Sequence, residues 1–442
     1  MDGHSPRLDS WKEIADYLGR DVRTAMRWAK SQGLPVRRVA GGRGRSVFAF
    51  AHEIDAWLAG QPEHAAAPEP AAAPQPAPAA PRGPRYTLAV AASLLLVAAA
   101  AGIAARFGPS SGTLDVSTLR VETTLTKVSI SDGSGASRDL LRFDPAASVV
   151  LPRQPASRIV DVDADGAPDV VVGVAYFDNI NDKTVRSGEL LMLSLLGDVR
   201  WTFAFTDTLA FQQERFAGPW ALIDWQAGPA ASPSRIAVAA HHSLWWASMA
   251  AVLDHTGRRL GTFVNPGWLE SLLWVDRDRL AVAGFNNARN AAMLAIVDAN
   301  RPDSQAPGTA GTPYACVSCT GGLPLFYATF PRSELNVLTG SRFNRAQASR
   351  LDGRLVITTI EVPGDPLAAT AHYEFDREMR LLSARYDGVY WDAHRRLERE
   401  GRLTHSRETC PERDGPAAIE VWRDGAAWVR VQPAHNSVSR LQ

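Results

Sequence analysis

The spacing of apolar and polar positions divides this chain into four stretches of different character. In the first, Trp11, Ile14, Ala15 and Leu18 recur at helical spacing. Ser10 and Glu13 form a capping box at the front of that helix, and Gly19 stops it. Asp21 can cap a second helix over Val22–Lys30, which Gly33 and Pro35 end. Two short helices joined by a tight turn predict a helix-turn-helix. Val36–Val39 and Ser46–Phe50 then read as strands around the turn Gly41-Gly42-Arg43-Gly44, and His52–Leu58 as a last helix offering Ile54, Trp57 and Leu58 to a core.

The second stretch, Pro62 to Arg85, alternates Ala and Pro, with eight prolines and almost no large apolar residue. It cannot build a core and favours extended chain, with a reach of about 70 Å at ~3.1 Å per residue. The third, Leu88–Ala105, holds no charge between Arg85 and Arg106. Those arginines bracket about 20 residues, enough for one helix to cross a hydrocarbon core of ~30 Å. Only Ser93 interrupts its apolar surface, whereas a soluble helix of this length would show a polar face. The pattern predicts a small domain (1–61), a linker (62–85), one transmembrane helix (86–107) and a large domain (108–442). In the fourth stretch short apolar runs are punctuated by Gly, Pro, Asn and Asp, which predicts an all-β domain.

Charge sharpens that division. The net charge is zero, yet residues 1–61 carry ten Lys/Arg against seven acids, while 108–442 carry 34 against 38. Arg20, Arg23, Arg27 and Lys30 form one stripe of the second predicted helix. Arg37, Arg38, Arg43 and Arg45 lie on the predicted hairpin. Basic side chains in those two places are where a winged helix meets phosphates and a major groove. Arginine flanks the span on both sides and does not orient it; a DNA-binding module requires the N-terminus to be cytoplasmic.

Ser10-Trp11-Lys12-Glu13-Ile14-Ala15, Tyr17-Leu18-Gly19, Val22-Arg23-Thr24, Arg27-Trp28, Gly33-Leu34-Pro35-Val36 and Glu53-Ile54-Asp55-Ala56-Trp57-Leu58 together resemble the excisionase/MerR-type winged helix-turn-helix over residues 8–59. The resemblance implies binding of double-stranded DNA through Arg23, Thr24 and Arg27, with the wing arginines near the backbone. The dimerising helix of MerR regulators is missing, so a homodimer would need another route.

The sharpest element of the large domain is the run Ile159 to Gly173. Asp161, Asp163, Asp165 and Asp169 occupy positions 1, 3, 5 and 9 of a loop with Gly166 at position 6. That spacing turns several oxygens onto one Ca²⁺. β-Branched runs on both sides predict a strand–loop–strand site. The run resembles the calcium loop of FG-GAP/VCBS repeats, which implies an integrin-type β-propeller and one calcium ion, held by the four aspartates and the backbone carbonyl of Ala167. Fainter echoes begin at Leu222-Ile223-Asp224 and Leu273-Trp274-Val275-Asp276, at intervals of roughly 50 to 60 residues, as expected of propeller blades. They lack the full set of aspartates and are not expected to bind metal.

Cys316-x-x-Cys319 has no second pair to complete a metal knuckle, so a disulfide is expected, within the pair or from one member to Cys410. His241-His242 beside Trp245-Trp246 could line a pocket but fit ordinary rim and core positions better. No His-Glu-x-x-His helix or phosphate loop occurs, and no Gly-x-Ser-x-Gly run sits between a predicted strand and a helix as a nucleophile elbow must, so catalysis is not expected. These features together predict a bacterial inner-membrane, single-pass transcription regulator with an extracytoplasmic sensor or docking domain for an unidentified ligand. The rivals are a surface adhesion protein whose N-terminal module contacts protein, and a propeller hydrolase or quinone-type oxidoreductase.

Overall fold

The structure is a computed structural model. It describes residues 7–8, 11–18, 29, 34–38 and 47–54, and residues 115–433 except 125, 144–147, 151–155, 178–184, 230–233, 243–245, 320, 342, 363–367, 424 and 426. The predicted second helix (apart from Ala29), the turn 41–44, the linker and the span lie outside the described residues. So do Arg20, Arg23, Thr24, Arg27, Lys30, Arg43 and Arg45. Among the described residues no helix is long and apolar enough to cross a membrane. The chain divides into two compact units, Met1–Arg85 and Tyr86–Gln442.

In the N-terminal unit, helix α1 (Trp11–Tyr17) presents Ile14 and Ala15 to a core completed by Leu34, Val47, Ala49 and Ile54. Val47–Phe50 alternates buried and half-buried positions, as a strand with one covered face must. It pairs antiparallel with Arg37–Arg38, as the expected hairpin requires, and on its other edge with Arg7–Leu8. That third strand has too few residues to carry a periodic signal. Residues 51–54 are helical and bring Ile54 into the core.

The C-terminal unit is made of antiparallel β-meanders in chain order. Sheet 1 holds Arg120–Thr123, Lys127–Ser131 and Ser137–Arg142. In sheet 2, Ser148–Val150 and Ser157–Val160 share one edge of Asp169–Phe177, followed by Val185–Leu193 and Val199–Ala204. Sheet 3 runs through Trp220–Ala227, Ile236–His242, Ser248–Leu253 and Arg259–Asn265, with Ser304–Gln305 added parallel at its edge. Sheet 4 begins with Leu269–Trp274, Arg279–Asn286, Ala291–Asp298 and Phe326–Phe330. Sheet 5 holds Arg345–Leu351, Arg354–Ile360, Thr370–Phe375 and Leu381–Tyr386. Helix α2 (Glu334–Leu338) joins sheets 4 and 5. After sheet 5, helix α3 (Gly388–Arg399) leads the chain back, and Ile419–Arg423 and Ala427–Val431 extend sheet 4 at its far edge.

The first strands of sheets 3, 4 and 5 pack in succession, Trp220–Ala227 on Leu269–Trp274 and that strand on Arg345–Leu351. Sheets therefore cover one another on both faces. Ser248–Leu253 is buried at every position and Ile236–His242 at nearly every one, so these strands read as continuous apolar runs rich in Ala and Val instead of alternating. Small residues allow this closeness. A Cβ on Gly188 would lie 2.7 Å from the Leu222 backbone nitrogen in the neighbouring sheet.

One turn recurs after the third or corresponding strand of a meander. In sheets 1, 3 and 5, Oδ1 of Asp132, Asp254 and Asp376 accepts the amides two and four residues on. The residue three positions on has positive φ: Gly135 (87°), Gly257 (80°) and Met379 (59°). In sheet 2 the Ser194 hydroxyl takes the same two amides, with Gly197 at φ 91°. In sheet 4, Asp298 accepts the Asn300 amide, but there the chain leaves the turn for the long excursion that carries Cys316 and Cys319. A single side-chain acceptor thus closes the corresponding hairpin in sheets 1, 2, 3 and 5, the acceptors standing 62, 60 and 122 residues apart.

Candidate functional site

Ser157–Val160 and Asp169–Phe177 pair antiparallel, with Val160 opposite Asp169, so the acidic loop is the connection between them, as expected. Local hydrogen bonds fold it. Asp163 Oδ1 accepts the Asp165 amide at 3.2 Å, Asp161 Oδ2 the Gly166 amide at 3.1 Å, and Asp165 Oδ1 the Ala167 amide at 2.7 Å. Gly166 (φ 87°) and Ala164 (φ 61°) take left-handed backbone to make the bend. For alanine that conformation is unfavourable by about 1–2 kcal/mol.

Asp161, Asp163 and Asp165 each bring one carboxylate oxygen within 4.8 Å of the others. Asp161 Oδ1 is buried and lacks a hydrogen-bond partner, and so does Asp169 Oδ2. Asp169 begins the following strand and is 2% exposed. Burial raises its pKa to about 6, with Asp163 and Asp165 adding to the rise and Arg200, whose Nε is 3.5 Å away, opposing it. The structure thus gathers three of the four predicted carboxylates and sets the fourth beside them, facing Arg200. Ala167 is exposed at the outer end of the loop. Crowded carboxylates with buried oxygens left unsatisfied are an arrangement that a hard divalent cation relieves.

The echoes differ from the acidic loop. Asp276 does open the first connection of sheet 4, where it pairs with Arg279 at 2.6 Å. Asp224, expected to end a strand, lies inside one at a bulge. Its Oδ2 accepts the Leu272 amide at 2.8 Å and so ties sheet 3 to sheet 4.

In the N-terminal unit, Arg37 pairs with Glu53 at 2.6 Å, and its guanidinium carbon lies 5.3 Å from the centre of the Phe50 ring. Its side chain is still half exposed, so it can reach solvent while held by its own domain. Arg38 follows it on the same strand.

Cys316 is disulfide-bonded to Cys319, with Cα atoms 5.5 Å apart, and Cys410 is a buried free thiol. Of the His/Trp cluster, Trp245 lies outside the described residues. His241 stacks on Trp268 at 4.4 Å, His242 hydrogen-bonds the Gly218 carbonyl at 3.2 Å, and Trp246 packs on Phe211 and Phe216. Burial lowers the pKa of both histidines, as suits core residues. An open groove of about 1170 Å³ runs along sheet 4, lined among others by Arg289, Arg332, Glu412 and Arg430.

Sequence reasoning missed one cluster altogether: Glu334, His394, His405 and Cys410. The last three are close in sequence, and that spacing of ligand-type residues was the available signal. Nothing in the sequence places Glu334 beside them.

No family model matches the chain, and no curated protein does. Among solved structures, similarity is found to a protein of unknown function from Bacteroides caccae (12% identity, 60% of this chain and 71% of that one, TM-score 0.29). An exo-type rhamnogalacturonan lyase (10%, 59% and 54%, TM-score 0.28) and a GH43 β-1,3-galactosidase (9%, 62% and 87%, TM-score 0.29) are similar to the same degree.

Proposed function

We propose that the chain is a membrane-tethered, DNA-binding transcription regulator whose C-terminal part is an extracytoplasmic β-propeller that senses or docks a ligand. The observation that carries this reading is the order of parts. A small unit with its own apolar core and a three-stranded antiparallel sheet stands first, and a far larger unit of antiparallel meanders stands last. Between them the sequence offers an Ala/Pro linker and one uncharged apolar stretch long enough to span a bilayer. Meanders in chain order, neighbouring first strands and one recurring turn support the propeller. In this reading the acidic loop binds one Ca²⁺ through Asp161, Asp163, Asp165 and Asp169 with the Ala167 carbonyl, fixing a connection of one blade.

The test is binding of the detergent-solubilised full chain to a duplex DNA library. Binding should fall steeply with salt. Replacing Arg23 and Arg27 with alanine should remove sequence selectivity, whereas Arg43→Ala should weaken all sequences alike and reduce the salt slope by about 1. No binding at low salt, or an unchanged double variant, refutes the DNA reading. Alkaline phosphatase fused after Gln442 should be active and after Pro81 inactive; the opposite pattern refutes the topology.

A further inference from the structure

Three elements at the C-terminal end converge on one point. Ser333 caps α2 by accepting the Asn336 amide, which sets Glu334 at the first helical position. Asp387 caps α3 by accepting the Tyr390 amide, and the helix turns Tyr390, Trp391, Ala393, His394 and Leu397 inward. The chain then loops through His405 and a single 3₁₀ turn, Arg407–Thr409, to reach Cys410.

His394 is fully buried, and neither ring nitrogen has a hydrogen-bond partner. A core histidine normally satisfies at least one, because burying both unpaired forfeits their hydration. Around it stand three groups, an imidazole, a carboxylate and a thiol, each able to ligate a metal ion. The His405 ring centre is 5.3 Å from that of His394, and its Nε2 is 3.1 Å from Glu334 Oε2. The Cys410 sulfur lies 3.9 Å from the same carboxylate oxygen and accepts the Glu412 amide at 3.4 Å. One donor atom from each of the four residues lies within 4.8 Å of every other.

We propose that Glu334, His394, His405 and Cys410 form a structural zinc site. Tetrahedral zinc, with bonds of about 2.0–2.3 Å, requires ligand atoms about 3.5 Å apart; the pairs at 3.1 and 3.9 Å bracket that spacing, and every pair lies within 4.8 Å. Two imidazoles, a thiolate and a carboxylate suit a borderline-soft ion; calcium and magnesium would require more oxygens than the cluster contains. Four protein ligands fill the coordination sphere and leave no place for substrate, so the role is to hold structure. The site would staple α2, which leaves sheet 4, to the segment that returns from sheet 5 to finish sheet 4. The Glu412 amide on the sulfur is the kind of outer hydrogen bond that orients a thiolate ligand.

The test uses the detergent-solubilised full chain. As purified it should carry one zinc per chain by elemental analysis. After chelation, one equivalent of Co²⁺ should give the intense ligand-field bands of a tetrahedral site and a thiolate-to-cobalt charge-transfer band, and Zn²⁺ should bleach both. Cys410→Ser should lose the charge-transfer band. His405→Gln, at a partly exposed position that tolerates change, should weaken Co²⁺ binding at least tenfold while the metal-free protein unfolds at the parental temperature. Asp163→Asn should leave the cobalt spectrum unaltered, which separates this site from the acidic loop. Weak octahedral bands, a charge-transfer band that survives in Cys410→Ser, or copper retained in place of zinc would overturn the proposal.

Discussion

Two connections occupy equivalent places in their sheets, and they meet the charge of their aspartates in opposite ways. Between the first strands of sheet 4, Asp276 Oδ2 lies 2.6 Å from Arg279 Nη2 and 2.7 Å from its Nε, and Oδ1 accepts the Asp278 amide at 3.0 Å. Burial pushes the Asp276 pKa up, but the Arg279 hydrogen bond and charge with the Asp278 amide outweigh it, and the net shift is downward. Between the strands of sheet 2, three carboxylates gather with only amides to bond, and Asp169 beside them has its pKa raised. One loop carries its cation as part of the chain, whereas the other has a partial counter-charge in Arg200 and two buried oxygens unsatisfied. Acidic residues alone do not leave a loop short of counter-charge; the absence of an arginine within the turn matters as much.

The comparison can be broken most directly with calcium. At a hundred times its dissociation constant, Ca²⁺ should stabilise the folded full chain by about 2.7 kcal/mol. Thermal unfolding with calcium and with chelator measures this. Asp163→Ala should abolish the gain and Arg279→Met should leave it intact; equal midpoints in the parent protein would reduce the acidic loop to a plain turn.

The second effect is the pH response of calcium-free protein. The Asp169 pKa is raised from 3.8 to about 6, so its contribution to stability is fully present below the unfolded value and is lost as pH rises through about 6. Moving from pH 7 to pH 4 should therefore recover on the order of 2 kcal/mol at this site. Asp276, with a depressed pKa, contributes in the other direction: its stabilisation is present above 3.8 and is lost as pH falls through its lower folded value. Asp169→Asn should flatten the first response and leave the second. Denaturant titrations at a series of pH values would show it, and an unchanged slope near pH 6 in the variant would contradict the assignment.

Smallest is the loss of the built-in cation. Arg279 and Asp276 are 25% and 35% exposed, so Arg279→Met should cost no more than about 1 kcal/mol, part of it from the bond of Arg279 to the Arg377 carbonyl. A loss well above that would mean the turn of sheet 4 depends on its ion pair as strongly as the acidic loop is proposed to depend on calcium.

What was legible in the sequence was local. The helix at Trp11–Tyr17, the hairpin Arg37–Phe50 and the strands around the acidic loop each rest on periodicity or turn chemistry within a few residues. The misses were non-local. Asp224 looks like a strand-ending aspartate until the amide of Leu272, from the next sheet, is seen to need its oxygen. The amphipathic run Gly388–Arg399 is a helix whose buried face is half aromatic and whose other positions are mainly charged, a weak signal inside an otherwise β-rich region. The convergence of Glu334 with His394, His405 and Cys410 depends on a chain path that no local pattern encodes. The Asp132 and Asp254 turns carry an Asp and a Gly three residues apart, but the Ser194 turn lacks the Asp and the Asp376 turn the Gly, so the equivalence of the four emerges only when strands are counted within each sheet.

The return of Ile419–Val431 to sheet 4 imposes an order of assembly. Sheet 4 is begun before sheet 5 and completed after it, so while the chain is being made, Phe326–Phe330 waits with one edge unpaired. All five of its residues are buried in the finished fold, and an open apolar edge is a template for pairing with another chain. The danger lasts until the final strands arrive. A chain cut short before Ile419 would retain almost every meander and yet be the form most prone to aggregate.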